Sequence, residues 1–394
     1  MAAGEPLRVG ILGLGMAGGV MTSVIANHPK LTLAAAADLQ PHLRDLFERD
    51  HRIAADVSAE ALLARSDIDA VYIATPHQFH APHAIMAARK GKHVVVEKPM
   101  ALSLADCGDM IAAAEAAGTQ LIVGHTHGFD PAILKLRDIV QSGKFGALVM
   151  LHAFNYTNFL YRPRRPEELD PLQGGGILWN QIPHIIDVIR LVAGKPVQSV
   201  RAMTAALDPA RKVDGACSAF VQFANGPVAT IVYSGYDRFD SDEWFGWIGA
   251  SGNAKTPNHG AAQRALSEVD AEHELTERQT SWSYGGGALA NLKFSGQPHF
   301  GHLIASFERG EVRLSPNGLL VYGKSGAQEV ELTNTVARPG HANVWDELYG
   351  AVREGGKPLH DGTFARGTVQ LCLAIAESAR ERKEIALETI GKKV

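Results

Sequence analysis

Hydrophobic and polar positions alternate in two different textures along the chain. Up to Val123, short and nearly continuous apolar runs fit buried strands: Leu7 to Leu12, Leu31 to Ala37, Asp69 to Ala74, His93 to Val96 and Gln120 to Val123. Helical spacing fills the intervals, in the run ending at Ile25 and in Pro41 to Arg49, Ser58 to Ala64, Phe79 to Lys90 and Ser103 to Ala117. Ser58 suits an N-cap and Gly118 a helix-closing position. Strand and helix in strict alternation predict a doubly wound parallel sheet, with crossovers of the right length.

Near Asp130 the texture changes. After a helix over Pro131 to Gln141 come longer strand-like runs at Ala147 to Tyr156, Val197 to Thr204, Ala216 to Phe223, Val228 to Ser234 and Trp244 to Ile248. The turn Asn225-Gly226-Pro227 joins two of them as antiparallel neighbours, and a helix over His184 to Val192 is available to cover one face. Residues 251–298 are polar and glycine-rich, and an irregular excursion is expected there. Strands resume at Leu303 to Ser306 and Leu319 to Tyr322, and amphipathic helices follow over 342–353 and 363–380. The fold class is therefore α/β, with a parallel-sheet domain over 1–125 and an α+β domain over 126–394 built on a large, mainly antiparallel open sheet.

Composition narrows the possibilities without changing the picture. At 394 residues, with 46% hydrophobic and 20% charged positions, two ordinary domains are expected. A formal net charge of −4 gives no reason to expect nucleic acid or a membrane surface as partner. Cys107, Cys217 and Cys372 are scattered and odd in number, which suits a reducing compartment rather than a disulfide framework. Val9 to Ala26 holds five glycines and lacks a basic flank beyond Arg8, unlike a signal peptide. A cytoplasmic protein is expected.

The first strand breaks into Gly13-Leu14-Gly15-Met16-Ala17-Gly18, and the second ends on Asp38. In a dinucleotide site Gly13 permits the tight turn, Gly15 admits a pyrophosphate to the backbone, and Gly18 lets helix pack on strand. Met16 and Ala17 open a helix whose N-terminus offers free N–H groups to phosphate. Asp38 would accept from ribose hydroxyls and repel a 2′-phosphate, favouring NAD, although Gln40 and Arg44 leave NADP open.

Two further stretches carry candidate chemistry. Glu97-Lys98-Pro99 follows a parallel strand at the sheet edge where ligands bind, and Lys98 could lower the pKa of a substrate hydroxyl. Gly174-Gly175-Gly176-Ile177-Leu178-Trp179-Asn180-Gln181-Ile182-Pro183-His184 runs into a helix, with Asn180 expected as N-cap and the glycines expected to admit a ligand. His184, at the mouth of that helix, can take the proton released when an alcohol is oxidised, and Asp187 shares its face. The reading requires Lys98 and His184 to serve one substrate.

Together these segments, with Ala74-Thr75-Pro76 and His80, resemble the Gfo/Idh/MocA family along nearly the whole chain, including Glu377-Ser378-Ala379-Arg380. The resemblance implies a Rossmann domain binding NAD or NADP, and a mixed domain whose open sheet forms a homodimer or homotetramer. It also implies that Lys98 and His184 serve a hydride-transfer site, with Thr75, Pro76, His77, His80 and Glu97 on the cofactor side. Where the family motif has aspartate and glycine, this chain has Asn180 and Ile182. Asn180 can hydrogen-bond a hydroxyl but cannot exchange a proton as a carboxylate does, which moves the base to His184 or Lys98.

Within the family, Gly124-His125-Thr126-His127, Tyr161 to Leu169, Trp179-Asn180-Gln181 and Pro298-His299-Phe300-Gly301 look most like phthalate dihydrodiol dehydrogenases. A carboxylated cis-dihydrodiol is then the expected substrate, with Arg162, Arg164 and Arg165 as planar partners for carboxylates. A sugar or inositol is the alternative, and a nonenzymatic NAD-responsive regulator a third reading. His125, His127 and Tyr161 are expected near the substrate. His77, His80 and His83 are explained by capping and cofactor-side contacts, and no metal site is expected. His299 and His302 have no assigned part.

Overall fold

The computed structural model describes residues 4–288 and 293–389. They fall into two compact units. The first takes in the described residues of Met1–His125, Leu275–Asn291 and His341–Val369, and the second those of Thr126–Glu274, Leu292–Gly340 and Gln370–Val394.

The first unit is built on six parallel strands: β1 (Leu7–Leu12), β2 (Leu31–Ala37), β3 (Ala55–Asp56), β4 (Ala70–Ile73), β5 (His93–Val96) and β6 (Leu121–Val123). Their order is β3-β2-β1-β4-β5-β6, so the strand order reverses between β1 and β4 while all strands stay parallel. Every residue of β4, β5 and β6 is buried, as expected of strands covered on both faces. Ser58 and Ser103 cap helices Ala59–Ala64 and Leu104–Ala117 by accepting from the backbone N–H three residues on.

Division at residue 125 does not describe the whole first unit, because two later segments return to it. Trp345, on helix Pro339–Arg353, is fully buried, with its ring 6.3 Å from that of Tyr72 and its Nε1 donating to Met21 Sδ at 3.1 Å. The Val123 N–H donates to the His360 carbonyl at 3.2 Å. A large indole has to be covered somewhere, and no local pattern announces where.

The second unit carries a sheet of nine strands among the described residues: β7 (Leu148–Tyr156), β8 (Val197–Ala205), β9 (Ala216–Phe223), β10 (Val228–Ser234), β11 (His302–Phe307), β12 (Gly310–Ser315), β13 (Gly318–Gly323), β14 (Gly326–Glu331) and β15 (Ile385–Ala386). Their order is β14-β13-β12-β11-β7-β10-β9-β8-β15; β7 and β10 run parallel and the other pairs antiparallel. Burial alternates strictly along β10 and β11, so one face is covered and one is open. Helix Ile182–Ala193 packs on the covered face against β7 and β10. It is apolar nearly all round and buried except at Arg190, the form a core helix takes.

Two sequence expectations fail here for local reasons. Trp244 to Ile248 is not a strand: Ser241–Phe245 forms a 3-10 helix, capped by Asp240 accepting from the Asp242 N–H at 3.0 Å. The Asp-Ser-Asp turn chemistry overrides the apolar run. Asn180 is not an N-cap but the last residue of a separate turn, Ile177–Asn180, and the longer helix starts at Ile182 with Pro183 in its first turn.

The expected excursion over 251–298 contains two helices, Ala261–Leu266 and Ala271–Thr280; residues 289–292 of it lie outside the described residues. Strands β12 and β14 were not apparent in the apolar pattern. β14 is almost wholly exposed, as an edge strand can be. No helix among the described residues is long and apolar enough to cross a membrane.

Candidate active site

In the first unit the candidate residues cluster at the carboxyl ends of the strands. Gly13 follows β1, Asp38 follows β2, Thr75 follows β4, Glu97 and Lys98 follow β5, and His125 follows β6. In a sheet whose order reverses between β1 and β4, ligands bind along this edge.

The glycine loop fits a dinucleotide. Gly13 has φ +98°, and a Cβ there would lie 2.8 Å from the Ala74 carbonyl oxygen. A Cβ on Gly18 would come within 1.8 Å of the Gly13 carbonyl oxygen, so that glycine is what allows the helix to close on the turn. Around Gly15 a Cβ would meet nothing within 4 Å, so the loop leaves open space there. Helix Met16–Ala26 begins there and offers its N-terminal N–H groups.

Asp38 already steadies the loop. Its Oδ2 accepts from the Leu14 N–H at 2.7 Å and its Oδ1 from the Gln40 N–H at 2.8 Å. Two carboxylate oxygens offer about four lone-pair sites, so capacity is left for ribose hydroxyls. Arg44 donates to the Asp38 carbonyl at 2.7 Å, which brings its cation to the same corner.

Other expected cofactor-side residues have interior work. His80 is fully buried, with Nδ1 2.8 Å from the Pro99 carbonyl and Nε2 2.9 Å from that of Thr75. It packs between the end of β4 and the Lys98-Pro99 segment; burial pulls its pKa down to about 4, and the neutral ring donates to one of the two carbonyls. His80 is thus a brace for the lysine loop rather than a cofactor contact. Glu97 accepts from the hydroxyl of fully buried Tyr72 and, at 3.2 Å, from the Lys98 N–H. His77 sits in the 3-10 turn His77–Phe79 after Pro76, its ring edge-on to that of His80 at 5.6 Å. Thr75 Oγ1 lies 3.2 Å from His83 Nδ1.

In the second unit His127 and His184 meet in one cluster. His184 and His127 pack edge to face, ring centres 5.1 Å apart. Phe300 touches both, at 4.5 Å from His184 and 4.9 Å from His127. His127 Nδ1 bonds Asp130 Oδ2 at 2.8 Å. Burial raises the Asp130 carboxyl above its ordinary pKa, with the His127 pairing opposing. Asp187 lies one turn beyond His184 on the same helix, and both are buried.

Phe300 was part of a motif but not a candidate residue, and what presents it is His299. The fully buried His299 ring accepts from the Gly301 N–H at 3.0 Å through Nδ1, and its Nε2 lies 2.8 Å from the Ile248 carbonyl. Burial lowers its pKa, and the neutral ring can make both bonds at once. His302 similarly reaches the Ser241 carbonyl at 2.9 Å. Tyr233 lies parallel to Phe300 at 6.4 Å; its hydroxyl donates to Gln181 Oε1 at 2.9 Å and is 2.7 Å from Thr157 Oγ1. Only pairwise packing could have disclosed this group.

Asn180 commits its amide nitrogen to its own loop. Its buried Nδ2 donates to the carbonyls of Gly174 at 3.0 Å and Gly176 at 2.8 Å. Gly175 packs on its own loop: a Cβ there would lie 2.6 Å from the Asp170 nitrogen.

The arginine loop divides. Arg164 is buried, stacks 3.8 Å over the Phe159 ring, and donates to the Phe159 carbonyl through Nη2 at 2.7 Å. Its backbone N–H donates to Glu274, which is also held by Arg211 through two bonds of 3.0 and 2.9 Å. Arg164 Nη1 also lies 3.6 Å from Glu168 Oε1, so its guanidinium is engaged within the framework. Arg165 pairs with Glu167 and Glu168. Tyr161 donates its hydroxyl to Asp208 at 2.8 Å, which gives that phenol an internal partner as well. Arg162 differs: its Nε donates to Asn158 Oδ1 at 2.7 Å. Among the described residues no group of three or more His, Cys, Asp or Glu is arranged to hold a metal ion.

Comparison with known proteins agrees with this layout. Residues 7–125 match the oxidoreductase family with an NAD-binding Rossmann fold, and residues 133–255 match the Gfo/Idh/MocA C-terminal domain. The chain is 38% identical over 379 residues, 95% of each chain, to 1-carboxy-3-chloro-3,4-dihydroxycyclohexa-1,5-diene dehydrogenase of Comamonas testosteroni. It is 29% identical over 198 residues, 50% of this chain and 58% of the relative, to myo-inositol 2-dehydrogenase of Thermotoga maritima. A crystal structure from Bordetella bronchiseptica RB50 superposes with TM-score 0.93 at 41% identity, covering 97% of this chain and 100% of that one. With both domain types present and a named dehydrogenase matched almost end to end, the chain belongs to the Gfo/Idh/MocA family and is an NAD-dependent dehydrogenase.

Proposed function

We propose that the protein dehydrogenates a carboxylated cis-dihydrodiol of an aromatic ring to the corresponding catechol. The observation that carries the reading is the 38% identity across 95% of both chains to a dehydrogenase of a carboxylated dihydroxycyclohexadiene. The inositol enzyme matches half of this chain at 29%, which supports a polyol less well. Aromatic walls at His184, His127 and Phe300 suit a flat diene ring better than a puckered sugar.

His184 accepts the hydroxyl proton as the carbinol carbon is oxidised, and Lys98 stabilises the developing alkoxide. Nicotinamide, when bound, supplies the two-electron acceptor for the carbinol C–H. The ketone so formed loses the proton on its neighbouring ring carbon and gains one on oxygen, and aromatisation drives the reaction forward. Arg162 pairs with the substrate carboxylate.

His127 and Asp130 steady the imidazolium that His184 becomes. Asp130→Asn is expected to lower kcat about ten-fold and to move the acid limb of kcat/KM to lower pH. The sign follows because His184 must be neutral to accept, and removing a nearby negative charge lowers imidazole proton affinity. An unmoved limb with unchanged kcat would separate the pair from the reaction.

The substrate reading is tested by NADH formation on carboxylated cis-dihydrodiols, myo-inositol and glucose. The best carboxylated diol should exceed either polyol in kcat/KM by about a hundred-fold or more. A polyol turned over faster than every diol would replace the reading.

A further inference from the structure

Part of the glycine-rich excursion belongs to the first unit, and it is fastened to the dinucleotide loop. The Tyr284 N–H donates to the Leu14 carbonyl at 3.0 Å, between Gly13 and Gly15. The opposite side of Leu14 is held by Asp38, which accepts the Leu14 N–H at 2.7 Å. The residue between the first two fingerprint glycines is therefore gripped through both of its main-chain polar groups.

The Tyr284 side chain reaches the other element that frames Asp38. Its ring lies 6.0 Å from both Phe47 and His51 on helix Pro41–His51. Its hydroxyl is 3.1 Å from Asp50 Oδ2 and 3.0 Å from His51 Nε2. The strap is itself anchored upstream, where Arg278 donates to the Trp282 carbonyl at 3.1 Å. Phe47 is fully buried, so the helix offers a fixed surface for the ring to seat on.

We propose that Tyr284 is a positioning residue for cofactor binding, acting through the main chain of Leu14 and through helix Pro41–His51. A loop already held in one shape loses less conformational freedom when a dinucleotide binds, and the saving appears as affinity. The excursion then has a job: it stiffens a loop whose glycines would otherwise leave it mobile. The inference rests on NAD binding by the first unit and not on the substrate proposal.

The test is NAD affinity of the full-length, NAD-free protein by titration calorimetry, with no substrate present. Tyr284→Ala removes the seating on Phe47 and His51 and is expected to raise the Kd for NAD about ten-fold. Tyr284→Phe keeps the ring and loses only the hydroxyl bonds, so a rise of about two- to three-fold is expected. KM for NAD should rise with Kd, by a larger factor than any fall in kcat. A Tyr284→Ala protein that melts as the parent does and binds NAD within about two-fold of it overturns the proposal. Should that variant fail to fold, Tyr284→Phe decides: a Kd equal to the parent's overturns it, and a raised Kd at unchanged melting temperature upholds it.

Discussion

His184→Ala is expected to lower kcat by about three orders of magnitude on the preferred diol, with NAD affinity nearly unchanged. The proposed proton acceptor is lost, and water must take its place without the orientation that helix Ile182–Ala193 provides. NAD affinity should persist because the glycine loop and Asp38 belong to the first unit and His184 to the second. The variant's acid limb should also vanish from the pH–rate profile, since the titrating base is gone. Turnover within about three-fold of the parent would remove His184 from the mechanism and return the base to Lys98.

The second large effect separates two glycines of one motif. Gly15→Ala should fold normally, because its Cβ would meet no protein atom within 4 Å. It should still weaken NAD binding strongly, by about a hundred-fold, if that open space is where pyrophosphate approaches the backbone. Gly18→Ala puts a Cβ 1.8 Å from the Gly13 carbonyl oxygen, so helix and turn must move apart. Overpacking of this kind costs about 1–3 kcal/mol or more, and both melting temperature and NAD binding should fall. Thermal melts with NAD titrations check the pair. If Gly15→Ala binds NAD as tightly as the parent, the loop is not the phosphate cradle.

Much of the fold was legible because its signals are local. The bounds expected for β2, β5, β9 and β10 are those observed, because apolar runs between turn residues leave few alternatives for a strand. The helix cap at Ser58 follows from a hydroxyl three residues before an orphan N–H. Misreadings occurred where two local signals competed. At Ser241–Phe245 the turn chemistry of Asp240 prevailed over an apolar run, and at Asn180 a helical turn began earlier than the capping pattern implied.

Within the site, residue type identified the actors better than their partners. His184 was legible as an imidazole at a glycine-rich helix entry and His127 as one following a strand, but their edge-to-face contact and the Phe300 packed against both depend on three distant segments. Arg164 illustrates the opposite error. A guanidinium in a Pro/Arg-rich loop reads as an anion ligand, yet a carbonyl five residues earlier and a carboxylate 110 residues later claim that residue.

What the sequence determined alone is the cofactor half: a strand, three spaced glycines, a helix and an acidic residue within one continuous stretch. Those residues lie in one strand–helix–strand stretch, so their order suffices to announce the motif. The tertiary structure alone decided which polar groups are engaged inside the protein, as with the His80 ring, the Asn180 amide nitrogen and the Arg164 guanidinium. It alone also brought Tyr284 to a helix whose Asp50 lies 234 residues away. Such pairings are settled by which groups find cover and hydrogen-bond partners once the chain has closed, and no local pattern encodes that outcome.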